Sequence, residues 1–426
     1  MAPPDASQLN HWLTHLERLH PASIELGLSR VAAVAERLGI RRPRSQVITV
    51  AGTNGKGSVV HLLEQWLRRQ GARVGAYSSP HLQRYNERVR INGVESTDAE
   101  LCAAFAQVEA KRGDTALTYF EFGTLAAVRQ FVDADLDFWL LEVGLGGRLD
   151  AVNVIEPDIA VITTVDYDHQ DWLGRDLGSI AREKAGIMRA GRPAVVAMPA
   201  PPAPVQSALE APGAVVRWRG EAFDLIAEAD GSFEYRSPSH RFSRLRCALP
   251  PDSVAAALAV AEALPFAMEP EAVKAWLEAV ALPGRFQRLE LGVPVVLDVA
   301  HNPQGARLLG KRVAGDSSLK PLYAVLGTMA DKDLAGVVAP LQPVVAAWFP
   351  AAPRVSRATP VEALVAGLQQ FGAKQVSPGA SVADALDRAL QAASETGGGV
   401  LVYGSFYTVG EALDACGATP QRRPPR

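Results

Sequence analysis

The residues best equipped for chemistry lie in the stretch Val47-Ile-Thr-Val-Ala-Gly-Thr-Asn-Gly-Lys-Gly-Ser58. An apolar run enters a glycine-rich turn, and helical spacing follows. Glycines let a backbone curl its N–H groups around an anion with no Cβ in the way. The helix opening beside Gly57 brings the positive end of its dipole to the same point. Lys56 is placed to reach terminal phosphates, and the Ser58 hydroxyl to face a magnesium ion or a phosphate. Gly52, Thr53, Asn54, Gly55, Lys56, Gly57 and Ser58 therefore form a candidate cradle for nucleotide phosphates. The bland alternative is a tight strand-to-helix turn with an incidental lysine, and the agreement of residues with context counts against it. One departure from the usual phosphate loop is plain. Lysine normally precedes Ser or Thr directly, and here Gly57 intervenes.

Three later segments put polar groups past the carboxyl ends of predicted strands, where a βα sheet keeps its ligand crevice. Ser79 lies in Ser78-Ser-Pro-His-Leu82, Glu142 closes an apolar run, and His169 ends Asp166-Tyr-Asp-His169. A hydroxyl, a carboxylate and an imidazole can together hold a divalent cation beside phosphates, with water completing the octahedron. Imidazole is an unusual magnesium ligand, and spacing alone reads His169 as a structural or surface histidine. Glu142 is harder to dismiss, because a buried carboxylate without a partner is costly.

The elements that must position these groups follow from a βαβ rhythm. Val47–Ala51 reads as a buried strand, Val59–Arg69 as a helix stopped by Gly71, and Arg73–Ser78 as the next strand. Further strands are expected at Phe138–Val143, Ile159–Val165 and Ala194–Met198. Short β-branched runs alternating with helical segments predict a mostly parallel sheet covered by helices on both faces. Pro199–Pro251 breaks the rhythm and suggests a small antiparallel insertion. Helices are expected at Ser253–Leu264 and Glu271–Ala281, before a break at Leu282-Pro-Gly284. The rhythm then restarts at Val295–Val299, Leu322–Leu326, Val344–Phe349 and Val400–Gly404. The expected organisation is a phosphate-loop α/β domain over 1–283, a linker over 284–293 and a smaller, Rossmann-like α/β domain over 294–426. Gln421–Arg426 reads as a frayed tail.

Bulk properties narrow the partners. The 426 residues exceed one compact core, and 48% hydrophobic with 21% charged residues is ordinary globular composition. Lys plus Arg is 43 against 46 for Asp plus Glu, a net charge of −3, which makes no electrostatic case for nucleic acid or membrane. Cys102, Cys247 and Cys416 are widely spaced and suggest neither a disulfide framework nor a zinc cluster. No signal core or membrane-length apolar run is visible. A cytoplasmic monomer acting on small molecules is expected.

The loop order Gly-Thr-Asn-Gly-Lys-Gly-Ser resembles the Mur-ligase superfamily rather than regulatory GTPases. The likeness sharpens along nearly the whole chain. Tyr77-Ser-Ser-Pro-His-Leu82, Leu117-Thr-Tyr-Phe-Glu121, Leu141 to Asp150 and Asp171-Trp-Leu-Gly174 resemble dihydrofolate synthase/folylpolyglutamate synthase enzymes. So do Glu183-Lys-Ala-Gly-Ile187, Leu282-Pro-Gly-Arg-Phe-Gln287, Asp298-Val-Ala-His-Asn-Pro303, Asp331-Lys-Asp333 and Gly404-Ser-Phe406. The resemblance implies ATP and magnesium, with Ser79, Glu142 and His169 as metal ligands. It implies an acyl phosphate made from ATP and a carboxylate, which an amino-acid amine then displaces. Lys56 and the loop amides would neutralise the transferring phosphoryl group.

By the same resemblance Arg285 would reach ATP phosphates on domain closure; its plainer reading is a linker arginine paired with a surface carboxylate. Asp298 would contact the nucleotide, and His301 and Ser405 the incoming glutamate. Lys184 falls where the family carries a carbamylated lysine that helps hold a second magnesium ion; by itself it would be a solvated charge after Glu183. Thr118, Tyr119, Phe120, Glu121, Leu149, Asp150 and Ala151 match the pterin segment. Tyr119 and Phe120 are also readable as core residues at a helix start, and Asp150 as a brace for the turn at Gly146-Gly147. Two departures stand out. Ser253 replaces the family's adenine-contacting Asn, and Val152 replaces a Thr in Leu-Asp-Ala-Thr-Asn. Rival readings are a phosphate-loop switch or motor, a weakly catalytic binding protein and a cell-wall precursor ligase. The inserted Gly57 and the second domain oppose the first, and the intact Lys56, Glu142, His169 and Arg285 oppose the second. Leu-Thr-Tyr-Phe-Glu and Gly-Leu-Gly-Gly-Arg-Leu-Asp oppose the third.

Overall fold

A computed structural model describes residues 8–20, 24–41 and 43–417. The expected tail at Gln421–Arg426 lies outside them. The chain divides into two compact units, Met1–His81 with Tyr85–Val280, and Leu82–Arg84 with Ala281–Arg426.

The first unit is built on eight strands: β1 (Gln46–Ala51), β2 (Val74–Tyr77), β3 (Val89–Ile91), β4 (Val94–Glu95), β5 (Phe138–Glu142), β6 (Ile159–Ile162), β7 (Pro193–Val196) and β8 (Val215–Trp218). Their order is β4-β3-β2-β5-β1-β6-β7-β8. The six strands from β2 to β8 run parallel, and β3 and β4 add an antiparallel edge. The central strands are buried at nearly every position, as sheets covered on both faces require. A separate antiparallel sheet holds β9 (Asp224–Ala227), β10 (Phe233–Arg236) and β11 (Arg241–Leu245). The expected insertion over Pro199–Pro251 is thus only partly antiparallel. Its Val215–Trp218 segment extends the main sheet in parallel, because its register with β7 is set by a tertiary pairing that alternation does not encode.

Helices of this unit are α1 (Leu9–Leu19), α2 (Ser29–Arg37), α3 (Lys56–Arg69), α4 (Asp98–Arg112), α5 (Tyr119–Asp133), α6 (Gln170–Leu173), α7 (Leu177–Ala185), α8 (Ala203–Glu210), α9 (Pro251–Glu262) and α10 (Pro270–Ala279). Both α4 and α5 open with capping boxes, Thr97 with Glu100 and Thr118 with Glu121. The helix that begins the phosphate loop, α3, packs on β1, β2 and β5 and against α9. Alanines make α9 slim, and every residue from Ser253 to Ala261 is buried. Trp66 and Trp276 lie 4.9 Å apart, and the Trp276 indole N–H donates to the Leu62 carbonyl at 3.0 Å.

The second unit has a five-stranded sheet ordered β12-β13-β16-β14-β15. Its strands are β12 (Gln287–Glu290), β13 (Pro294–Asp298), β14 (Leu322–Leu326), β15 (Val345–Pro350) and β16 (Gly399–Tyr403). The stretch 284–293, read as a linker, therefore carries an antiparallel edge strand. Period-2 alternation divides two cores. Val295, Leu297, Val325, Val400 and Val402 face one core, and Val296, Ala324, Leu326, Leu401 and Tyr403 face the other. The helices are α11 (Pro303–Ala314), α12 (Leu334–Val338), α13 (Val361–Gln370), α14 (Val382–Thr396) and α15 (Phe406–Ala415). Among the described residues no helix is long and apolar enough to cross a membrane.

The Trp66–Trp276 contact carries α10 onto the phosphate-loop helix. Trp276→Ala should destabilise the first unit by about 3–5 kcal/mol, the usual range for emptying a buried aromatic site. Denaturant titration followed by far-UV dichroism measures it, and a loss under about 1 kcal/mol would show that this contact does not anchor α10.

Candidate active site

The phosphate loop runs from the end of β1 at Ala51 into the first turn of α3, and its shape is dictated by what surrounds it. Gly52 has φ +150° and Gly55, the N-cap of α3, has φ +84°. A Cβ on Gly52 would lie 1.8 Å from the Thr163 hydroxyl, and one on Gly55 would lie 2.5 Å from the Ser253 hydroxyl. Gly57 answers the departure noted in the sequence. A Cβ there would come 3.3 Å from Glu142 Oε2, so the extra glycine lets this carboxylate lie against the loop. Lys56 folds back, its Nζ donating to the carbonyls of Gly52 at 3.1 Å and Thr53 at 3.3 Å. The Ser58 hydroxyl is fully buried and has no hydrogen-bond partner among the described residues.

Glu142 ends β5 almost wholly buried and accepts from the Ser79 amide at 3.1 Å. Two of the three proposed metal ligands are thereby brought together beside the loop. His169 sits at φ +50°, a left-handed conformation that costs a non-glycine residue about 1–3 kcal/mol and persists where surroundings over-determine it. Its ring is 3.9 Å from the Asp168 carboxylate. A buried hydroxyl without a partner, a carboxylate beside it and loop amides suit a hard cation shared with phosphate oxygens.

Lys184 closes α7 and is 3% exposed. Burial, then the charge of Lys56, lower its pKa to about 7, against the opposing pull of Asp168. An amine held so low is neutral for about half the time near neutral pH. Its neighbour Glu183 pairs with Arg148 at 2.8 Å, and Asn153 Nδ2 donates to the carbonyls of Arg148 and Gly186, both at 3.0 Å. The turn at 144–150 and the end of α7 are thus one block.

The pterin segment is more occupied with its own structure than the sequence implied. Both Asp150 oxygens accept backbone amides, from Leu145 at 2.8 Å and Val152 at 3.0 Å. Burial pushes its pKa up to about 7, opposed by those amides and by Lys56. This is the bracing role, and it sits directly before the buried Ala151, with Leu149 half-buried. Glu121 completes the α5 capping box with Thr118 and accepts from Arg30 at 3.0 Å, an ion pair across 91 residues that sequence reasoning missed. Tyr119 remains half-buried, with Arg88 5.6 Å from its ring. Phe120 lies over Gly144, where a Cβ would come 2.6 Å from the ring. Ser253 donates to the Gly55 carbonyl at 3.3 Å, so its hydroxyl braces the loop.

In the second unit four named residues gather at the carboxyl ends of β13 and β16, which pair Asp298 with Tyr403. Asp298 accepts from the amides of Phe286 at 2.8 Å and Ala300 at 2.9 Å; burial raises its pKa, opposed first by Arg285. The Arg285 guanidinium, whose charge acts on Asp298, also lies 4.8 Å from the Phe406 ring. His301 Nδ1 is 3.0 Å from the Val299 carbonyl. Ser405 caps α15, accepting from the Thr408 amide at 3.0 Å.

The Mur ligase middle domain matches residues 50–199, and the Mur ligase glutamate ligase domain matches residues 284–406. A dihydrofolate synthase/folylpolyglutamate synthase of Escherichia coli K12 is 42% identical over 419 residues, covering 98% of this chain and 97% of that protein. The structure of Escherichia coli FolC in complex with DHPP and ADP superposes with TM-score 0.92 at 41% identity, over 98% of this chain and 99% of that one. A bifunctional folylpolyglutamate synthase/dihydrofolate synthase with Mn, AMPPNP and L-glutamate bound gives 0.86 at 42% identity, over 97% and 99%. Likeness of this extent, over both units and through the phosphate loop, places the chain in the dihydrofolate synthase/folylpolyglutamate synthase family of Mur ligases.

Proposed function

We propose that this chain uses ATP to join L-glutamate to dihydropteroate, forming dihydrofolate, and to add further glutamates to folates. A substrate carboxylate oxygen takes the γ-phosphoryl group while ADP leaves, giving an acyl phosphate. The glutamate amine then attacks the carbonyl carbon, phosphate departs, and the amine gives up a proton. The observation that carries this reading is the glycine loop whose Gly57 lets Glu142 approach, beside the buried, unpartnered Ser58 hydroxyl. ATP, dihydropteroate and glutamate are small anions, which a chain of net charge −3 binds only through local positive sites such as this loop.

The roles assigned to residues follow their chemistry. Lys56 and the amides of the N-terminal turn of α3 bind the phosphates and offset charge on the transferring group, while the Thr53 and Asn54 amides are held by Thr164. Ser58, Ser79, Glu142 and His169 would hold magnesium, which when bound screens phosphate charge. Thr118, Tyr119, Phe120, Glu121 and Leu149 to Ala151 shape the pterin site. Tyr119 offers a ring face, and Asp150 rigidifies the turn beneath it. In the second unit Arg285 and Asp298 are assigned to the nucleotide, and His301 and Ser405 to glutamate. Lys184 is assigned a carbamate: its neutral amine attacks the carbon of CO2, an N–C bond forms and a proton leaves. The carbamate would hold a second magnesium ion. The protein is proposed to act as a cytoplasmic monomer, in keeping with its free cysteines Cys102, Cys247 and Cys416.

The primary test is phosphate release from ATP and glutamate with dihydropteroate, with tetrahydrofolate and with neither. Lys56→Ala should lower turnover at least about a hundredfold on both acceptors with folding intact, since one such group is worth about 2.7–4 kcal/mol. Near-normal turnover would remove the loop from the chemistry. For Lys184, activity in CO2-depleted buffer should recover on adding bicarbonate, more fully as pH rises through about 7 and the neutral amine accumulates. Lys184→Arg should show no bicarbonate response, and a wild type equally indifferent would refute the carbamate. Asp150 makes a thermodynamic prediction. Its raised pKa means the folded state keeps a proton that the unfolded chain releases from about pH 3.8 upward. Its contribution to stability therefore falls as pH rises from about 4 to about 7. Melting temperature against pH should show wild type losing ground to Asp150→Asn over that window, and parallel curves would contradict it.

A further inference from the structure

The chain leaves β6 at Ile162 and immediately presents two hydroxyls, Thr163 and Thr164, to the phosphate loop. Thr163 Oγ1 donates to the Asn54 carbonyl at 2.6 Å, and Thr164 Oγ1 accepts from the Asn54 amide at 3.1 Å. Both backbone polar groups of one loop residue are thus held by consecutive side chains more than a hundred residues away. The Thr53 amide donates to the Thr164 carbonyl at 2.8 Å. The Thr53 hydroxyl in turn donates to the Asp166 carbonyl and accepts from the Asp166 amide, each at 3.0 Å. Thr163 is fully buried and Thr164 is 5% exposed.

These bonds join two segments with different tasks. On one side is the loop that carries Lys56 and Ser58. On the other is 166–169, which bears Asp168, whose charge acts on Lys184, and His169 in its left-handed conformation. The fit is mutual, because Gly52 must lack a Cβ for the Thr163 hydroxyl to occupy its place. Satisfying a strand end would need only water or one backbone partner. Here the hydroxyls of Thr163 and Thr164 meet on Asn54 while that of Thr53 reaches Asp166, so three hydroxyls tie the loop to the strand continuation leading to His169.

We propose that Thr163 and Thr164 are positioning residues that clamp the Asn54 peptide, so that the phosphate loop and the 166–169 segment present nucleotide and metal in fixed register. This rests on the function proposed above and extends it to residues whose side chains touch neither ligand. Loss of one hydroxyl removes a hydrogen bond from the half-buried Asn54 peptide, and the loop relaxes relative to His169. The effect falls on ATP and metal together and spares the pterin.

The test is steady-state kinetics of the full chain, varying ATP, Mg2+ and dihydropteroate separately, for Thr164→Val, Thr164→Ser and Thr163→Val. Valine keeps the volume and removes the hydroxyl; serine restores it. Thr164→Val should raise both the ATP KM and the half-saturating Mg2+ concentration about tenfold, the scale of one lost buried hydrogen bond, with the dihydropteroate KM unchanged. Thr164→Ser should return both to within about threefold of wild type, and Thr163→Val should repeat the Thr164→Val pattern. Unchanged ATP and Mg2+ dependence in both valine variants would overturn the clamp. So would a uniform change in all three constants with a lowered melting temperature, which marks a merely structural role. Lys56→Ala, run alongside, separates the two levels. If it is inactive while the valine variants are normal, only the clamp fails; if it is normal, the reading of the loop itself fails.

Discussion

Much of the first unit depends on three places where a side chain packs closely against a loop position that carries no Cβ. Thr163 fills the space beside Gly52, Ser253 that beside Gly55 and Glu142 that beside Gly57. A phosphate loop must keep its amides pointing outward, and it can do so only if something else holds its carbonyls and its curvature. The hydroxyls of Thr163 and Ser253 take that task on the carbonyls of Asn54 and Gly55. Glu142, placed by β5 at the centre of the sheet, brings a carboxylate to the mouth of the loop without displacing it. The order of strands puts β1 between β5 and β6, so all three residues come from elements beside the loop or from α9 on α3.

Around this loop the protein buries charge that an inert core would exclude. Lys184 and Asp150 are each held about three pH units from their ordinary values, in opposite directions, and burial is the first cause of both. Lys56 acts on each, lowering both, so the lysine of the loop tunes its surroundings. Groups whose charge is this conditional are expensive to keep, and such shifts concentrate where chemistry needs them. Asp150 offsets its cost with backbone amides of the turn at 144–145, which is why it serves the architecture even as it borders the pterin segment.

The second unit solves a similar problem largely with backbone amides. Asp298 is fastened by the amides of Phe286 and Ala300, Ser405 by its own helix, and Arg285 by the face of Phe406. Asp298 and Ser405 lie at or just past the carboxyl ends of the parallel strands β13 and β16, where helix starts and strand ends leave amides to spare. That economy fixes their positions before any ligand arrives.

What the sequence determined by itself is local. The βαβ rhythm, the strands near Val47, Phe138, Ile159, Val295 and Leu322 and the helix after Gly57 all follow from periodicity and turn chemistry within a few residues. The motif string around Lys56 named the chemistry, because glycines, lysine and serine at that spacing have few other uses. Only the tertiary structure decided which distant hydroxyls hold the loop. Nothing in the two threonines after Ile162 distinguishes a clamp from an ordinary strand end, and Ser253 looked like a lost adenine contact rather than a brace. It also decided that Val215–Trp218 joins the main sheet, that 287–290 is a strand rather than a linker, and that Glu121 answers Arg30. The physical reason is range: propensity and alternation act between neighbours in sequence, whereas a hydrogen bond across a hundred residues exists only once the sheet has set its strands side by side.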